Sequence, residues 1–298
     1  MVGSTDRSRG HSPVDGATAN SSARSLLLVV LGEFVWPARE PVWSSTLLRA
    51  LRDLGIESDA ARKALQRTAD AGLITSSRSG RRLLWTVSPA GHRLLEDGFR
   101  RVLEASRAPE WDGRWLAVMV TVPEAQKNLR YRLQRRLTWA GMGSPAPGYW
   151  LTSHAERSGE VQAVISDLGL DSITNSFVGT FGEIGDESAL VRRAWDVEDL
   201  ADRYSSFIAD AQRPVRDSEP DLFRRHVDVV QAWRMLAYAD PDLPERYLPD
   251  PWVGHHARDV FRQQRDTLMP GARAHWAGLM EPVTPDGRTS AAASDAQS

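Results

Sequence analysis

Between Trp43 and Trp85 the chain carries two short amphipathic segments on either side of a glycine turn, then a basic strand pair. That order restricts the fold more than any other feature of the sequence. Residues 43–54 place Leu47, Leu48, Leu51 and Leu54 at three- and four-residue spacings, the period of a helix with one buried face, and stop at Gly55-Ile56. A second helix is expected at once. Ser58 is its expected cap, its hydroxyl accepting a first-turn backbone N–H; Asp59 adds charge that suits the positive end, and Gly72 supplies the stop. On this helix Ala61, Ala64, Leu65 and Thr68 share one face, while Arg62, Lys63, Gln66, Arg67 and Asp70 share the other. The run from Thr75 to Arg82 then turns at Gly80 into Leu83-Leu84-Trp85-Thr86-Val87, whose residues favour a strand. The reading is a winged helix-turn-helix.

The chemistry of the outward face fits duplex DNA. Guanidinium groups bond guanine edges or phosphates, and an amide bonds adenine. The candidate DNA contacts are therefore Ser58, Arg62, Lys63, Gln66 and Arg67 on the helix, with Arg78, Arg81 and Arg82 on the hairpin. From Trp43 to Trp85 there are eight Lys or Arg against four Asp or Glu, although the whole chain is formally −2. Local sign governs, because phosphate attraction is screened beyond about 8 Å at physiological salt. The competing account is a surface helical hairpin whose charges are merely solvated.

At 298 residues, with 41% hydrophobic and 26% charged side chains, the chain is long enough for two or three domains of ordinary globular composition. It has no cysteine, which removes disulfides, thiolate metal sites and thiol nucleophiles and fits a reducing, cytoplasmic setting. Its longest apolar run, Leu26 to Leu31, falls well short of the roughly 18 residues that a membrane span needs. Residues 1–22, rich in Ser, Gly, Asp and Arg with no apolar centre, read as a disordered arm and not a signal peptide. Residues 281–298 read as a disordered tail.

Beyond the wing, Ser88 caps a helix with Pro89 at its first position, over residues 88–105. A buried strand follows at 114–121, a helix at 124–140, a Gly- and Pro-rich turn at 141–148, a strand at 149–152, a helix at 157–168 and a strand at 173–180. That alternation implies a small ferredoxin-like α/β sandwich. From Asp186 the pattern is helical: one helix carrying Leu190 through Phe207, another at 219–238, a proline-punctuated connection and a last helix at 255–268. The fold class is α+β. The expected domains are 23–107 for the winged helix, 108–184 for the sandwich and 185–280 for the helical region.

Four stretches carry a resemblance to a known family. They are Ser25 through Val35, the helix pair ending Ala71-Gly72-Leu73-Ile74, the centre Trp139-Ala140-Gly141-Met142-Gly143-Ser144-Pro145-Ala146-Pro147-Gly148-Tyr149-Trp150, and Asp240-Pro241-Asp242-Leu243-Pro244 with Leu248-Pro249 and Trp252-Val253-Gly254. The chain resembles the PaaX-type regulators, repressors of phenylacetate and related aromatic catabolism, from about Ser25 to Trp276. The resemblance implies a winged-helix domain, a ferredoxin-like domain similar to CRISPR-adaptation nucleases, and a helical C-terminal domain. It also implies a homodimer on a double-stranded DNA operator, released by an aryl-acyl-CoA such as phenylacetyl-CoA.

Such an effector needs cationic groups for its phosphates and an apolar slot for its acyl end. Arg130 with Trp139, Tyr149 and Trp150 offers those types, although the basic helix bearing Lys127, Arg130, Arg132, Arg135 and Arg136 equally suits flanking DNA or a wet face. No metal site and no other cofactor is expected, since the adjacent His255 and His256 diverge by about 100° on a helix. No catalytic residue is expected either. A nuclease of this fold would place a carboxylate at the end of its first strand. Here no acid follows before Glu124, and no phosphate loop, nucleophile elbow or HExxH pair occurs. The alternatives to a regulator are a metal-dependent nuclease-like enzyme and an effector-independent architectural DNA-binding protein.

Overall fold

A computed structural model describes residues 22–99 and 111–281. Residues 1–21 of the expected arm, the helix beyond Phe99 and residues 282–298 of the expected tail lie outside them; Ser22, expected to end the arm, instead caps the first helix, its hydroxyl accepting from the Ser25 N–H at 3.2 Å. The molecule mixes helices with two antiparallel sheets. Its described residues divide into two compact units: one holds residues 22–97, Val215–Ala232 and residues 268–281, the other the described residues between Gly98 and Pro214 together with Trp233–Thr267.

In the first unit, α1 (Ala23–Val30) runs into a π-helical turn, Leu31–Val35. After it come β1 (Val42–Trp43), α2 (Ser44–Asp53), α3 (Ser58–Asp70), β2 (Ile74–Ser79), β3 (Arg82–Val87) and α4 (Pro89–Phe99). The strands form one sheet in the order β1-β3-β2. Helix α3 packs on α1 and α2, and the small Ala61 and Ala64 among its buried residues permit a close approach. Ser88 accepts from the Gly91 N–H at 3.0 Å, so the start of α4 is as expected. At the second helix the expectation fails. Ser58 lies inside α3; Glu57 holds the cap position, and no side chain bonds the first-turn amides.

The second unit contains β4 (Arg114–Val120), α5 (Lys127–Trp139), β5 (Gly143–Ala146), β6 (Tyr149–Thr152), α6 (Ser158–Asp167), β7 (Thr174–Thr180), α7 (Glu187–Ala194) and α8 (Val197–Ala211). The sheet order is β5-β6-β4-β7, with every pairing antiparallel. Alternation along β4 explains its continuous apolar run: Leu116, Val118 and Val120 enter a core with Leu133 and Leu137 of α5 and Val161 and Ile165 of α6. Trp115 enters another core with Leu151, Leu190, Val191 and Leu243.

Three element boundaries differ from the sequence reading. The Gly- and Pro-rich stretch at 141–148 contains a whole strand, β5, joined to β6 at Pro147-Gly148. Pro145 is tolerated because β5 lies at the edge of the sheet, where a missing N–H breaks no interior ladder. The single helix expected through Phe207 is two, because Asp196 starts α8 afresh by accepting from the Asp199 N–H at 2.9 Å. The last helix continues well past Leu268.

Two long helices close the chain: α9 (Glu219–Ala239) and α10 (Val253–Leu279), the latter with Pro270 inside it. Residues of both belong to each unit. Past Pro270, Ala272, Trp276 and Leu279 remain buried, so continued burial of one face outweighs the lost backbone bond. In the first unit Phe34 meets Phe223 and Trp276 at ring separations of 5.3 and 5.4 Å, and the fully buried His226 bonds Glu33 at 2.9 Å.

Candidate nucleic-acid interface

The α2–α3 connection is set by local chemistry. Gly55 takes φ +83°, its N–H bonding the Arg52 carbonyl at 2.8 Å while the Ile56 N–H bonds that of Leu51 at 2.9 Å, so the chain turns from α2 into α3 through the four residues Leu54 to Glu57. Helix α3 then buries Ala61, Ala64, Leu65 and Thr68, and the Thr68 hydroxyl donates back to the Ala64 carbonyl at 2.7 Å. The opposite face is thereby turned to solvent with Ser58, Arg62, Lys63, Gln66 and Arg67 all exposed. Arg62 pairs with Asp59 at 3.1 Å and Gln66 donates to Asp70 at 2.8 Å. Both contacts are exposed and local, so they arrange the side chains at negligible cost to an incoming partner. Lys63 and Arg67 form no ion pair with any described residue.

The hairpin puts Ser79 opposite Arg82 and turns at Gly80, whose φ of +60° suits a residue without Cβ. Arg78 and Arg81 are exposed. Arg82 differs from them. Its guanidinium lies over the Trp43 ring at 4.1 Å, donates to the Ser45 hydroxyl at 3.2 Å and makes a charge-assisted hydrogen bond to Glu281. Arg49 reaches the same carboxylate at 2.7 Å and the Leu279 carbonyl at 2.7 Å, and the Ser45 hydroxyl donates to Glu281 at 2.9 Å. Burial opposes ionisation of Glu281, but the Ser45 hydroxyl and the two guanidinium groups prevail and hold its carboxyl below the usual range. Glu281, expected to begin a disordered tail, is thus held by three side chains.

Ser45 and Arg49 escaped the sequence reading, although they lie four residues apart on one helix face and so were open to it. Glu281 had no such signal.

The four residues expected around an effector are not gathered into one place. Trp150 is buried in the α5–α6 core, whereas its neighbour Tyr149 packs with the Trp115 core on the other side of the sheet, as alternation along a strand requires. Arg130 is exposed, 3.4 Å from the Pro123 carbonyl, and Trp139 is 53% exposed and stacked on Tyr238 at 4.9 Å. Arg130 and Trp139 share α5 but lie about 13 Å apart along its axis. In this structure the four do not line one slot.

Among the described residues, no group of three or more His, Asp or Glu is placed to hold a metal ion, and no helix is long and apolar enough to cross a membrane. Strand β4 ends without an acid, and the exposed Glu124 is the first to follow.

Comparison with known proteins covers most of the chain. Residues 22–91 match the family described as PaaX-like protein, 108–191 the PaaX protein central Cas2-like domain, and 195–278 the PaaX-like protein C-terminal domain. The transcriptional repressor PaaX of Escherichia coli (strain K12) is 26% identical over 265 residues, covering 85% of this chain and 82% of that protein. Among solved structures, an uncharacterized protein from Mycobacterium tuberculosis superposes with a TM-score of 0.55 at 20% identity, covering 85% of this chain and 98% of that one. That likeness concerns the fold alone.

Proposed function

Because the chain belongs to the PaaX family, we propose that it is a homodimeric transcriptional repressor of a phenylacetate-type catabolic operon, released from its operator by an aryl-acyl-CoA. The observation that carries this reading is the division of α3: small side chains buried inward, and Arg62, Lys63, Gln66 and Arg67 exposed together outward. In this reading α2, α3 and the β2–β3 hairpin form a winged helix-turn-helix, with α3 in the major groove and Arg78 and Arg81 on phosphates or the minor groove. The strand order β5-β6-β4-β7 with α5 and α6 on one face supports a ferredoxin-like central domain. The repressor named above supports the regulatory role. The protein is read as cytoplasmic and as lacking catalysis, a reading favoured by the absence of an acid at the end of β4.

The effector is read as a CoA thioester whose phosphates meet exposed cations such as those of α5. A gel-shift titration against the DNA upstream of the gene tests the whole reading. Retardation of that fragment ahead of unrelated duplex, reversed by phenylacetyl-CoA or a related aryl-acyl-CoA and not by free CoA, is the expected result. Retardation that no thioester reverses marks an architectural protein; cutting in Mg²⁺ or Mn²⁺ marks a nuclease.

A further inference from the structure

Two arginines and a serine around the start of α2 and the hairpin converge on one carboxylate. Ser45 donates to Glu281 Oε1 at 2.9 Å and Arg49 to the same oxygen at 2.7 Å, while Arg82 takes Oε2. A carboxylate and a phosphodiester are both anions whose two oxygens accept charge-assisted bonds from guanidinium and hydroxyl groups, so a set of donors that holds one can hold the other. The position of Arg82 gives the equivalence a use. It is the first residue of β3, opposite Ser79 across the hairpin turn and next to the exposed Arg81, on the element assigned above to the DNA backbone. The Trp43 ring under its guanidinium, at 4.1 Å, supports that group independently of the carboxylate. Departure of Glu281 therefore leaves the cation in place. Glu281 stands two residues past the last residue of α10, outside any helix or strand.

We propose that Ser45, Arg49 and Arg82 form a phosphate-binding site for the DNA backbone, and that Glu281 occupies it as an internal mimic which the operator must displace. The inference rests on the DNA-binding reading above and adds to it an autoinhibitory contact with an identified competitor. Glu281 is an anion tethered to the same chain, so it competes at a high effective concentration, and its release is part of every binding event. A phosphate site carries no base information. The latch thus sets affinity for all duplexes alike and leaves preference for the operator to α3.

The test uses the full chain and four variants: Glu281→Gln, Arg49→Ala, the double variant Glu281→Gln/Arg49→Ala, and Arg67→Ala. Binding of labelled operator and of unrelated duplex is followed by fluorescence anisotropy across a KCl series, with a thermal melt of each protein. Glu281→Gln keeps the shape of the side chain and removes its charge. It is expected to tighten binding of both duplexes by about tenfold, and any added phosphate contact steepens the salt dependence by about 0.9 in the log–log slope. Arg49→Ala in the same background is expected to reverse most of that gain. The proposal is overturned if Glu281→Gln binds DNA no more tightly than the unaltered protein, or less tightly with a lowered melting temperature, which would make Glu281 a brace for the hairpin. It is also overturned if the gain persists undiminished in the double variant. Failure of the underlying reading looks different: the unaltered protein would show no preference for its operator, and Arg67→Ala would change nothing.

Discussion

Arg67 and Arg78 are both exposed cations, yet the proposed function gives their elements different tasks. A side chain that reads a base contributes to one position of the operator, whereas one that meets a phosphate contributes to all sequences. Arg67→Ala is therefore expected to weaken operator binding by about 1–3 kcal/mol while barely changing affinity for unrelated duplex. Arg78→Ala is expected to weaken both and to reduce the salt slope by about 1; anisotropy titrations over KCl separate the two. Asp240 carries a prediction of another kind. It accepts from the Tyr204 hydroxyl at 2.5 Å and the Asp242 N–H at 2.7 Å, and burial pushes its carboxyl up despite those bonds. The Asp242 charge adds to the rise, and Arg258 on α10 offsets part of it. A raised carboxyl stabilises the fold fully below its unfolded value, near 3.8, and loses that contribution as pH climbs through the folded value. Asp240→Asn cannot lose a proton. Its melting temperature should fall less than that of the unaltered protein as pH rises from about 4, and parallel curves would refute the assignment. At this scale much was legible: the outward set of α3 follows from helical spacing alone. Ser58 as a cap was not, since residue preference cannot say whether the helix begins one residue earlier.

Helices with a single apolar stripe declared themselves in the sequence because one periodicity served one neighbour. Elements fixed by two neighbours did not. Strand β5 is the plainest case: Gly143 and Pro145 suggest a loop, and only pairing with β6 and coverage by α7 make them a strand. A Cβ at Gly143 would lie 2.4 Å from the Trp195 ring and 2.7 Å from the Ala194 carbonyl oxygen, so the end of α7 sits where any other residue would intrude. Gly143→Ala is expected to cost about 1–3 kcal/mol, read as a lower urea midpoint with an unchanged slope. An unaltered midpoint would show that α7 is free to shift. The end of α10 was hidden for a related reason. Pro270 looks like a stop, and only the burial of Trp276 and Leu279 beyond it reveals why the helix goes on.

For the molecule as a whole, the sequence led us to expect three successive domains; separately, the contacts among its described residues cluster into two units, each drawn from discontinuous pieces. No local pattern encodes which half of a long amphipathic helix serves which core, so the division of α9 and α10 could not be read from spacing. The same limit applies to the effector, two of whose expected residues, Tyr149 and Trp150, lie on opposite faces of one sheet while Arg130 and Trp139 lie on α5. A dimeric repressor of this design should protect two operator tracts centred about 34–36 Å apart, one helical turn or a multiple of it. Hydroxyl-radical footprinting measures that spacing, and a single uninterrupted tract would contradict the two-fold reading. Reversal of the footprint from almost complete to almost absent requires the thioester to prefer the released state by about 5.5 kcal/mol. Finally, the hydrogen bond from Arg82 to Glu281 spans 199 residues of sequence. A protease that trims the carboxyl end back to Leu279, or an affinity tag fused close behind it, would alter how tightly the amino-terminal hairpin grips a duplex. Preparations of uneven length would then titrate as mixtures of strong and weak binders.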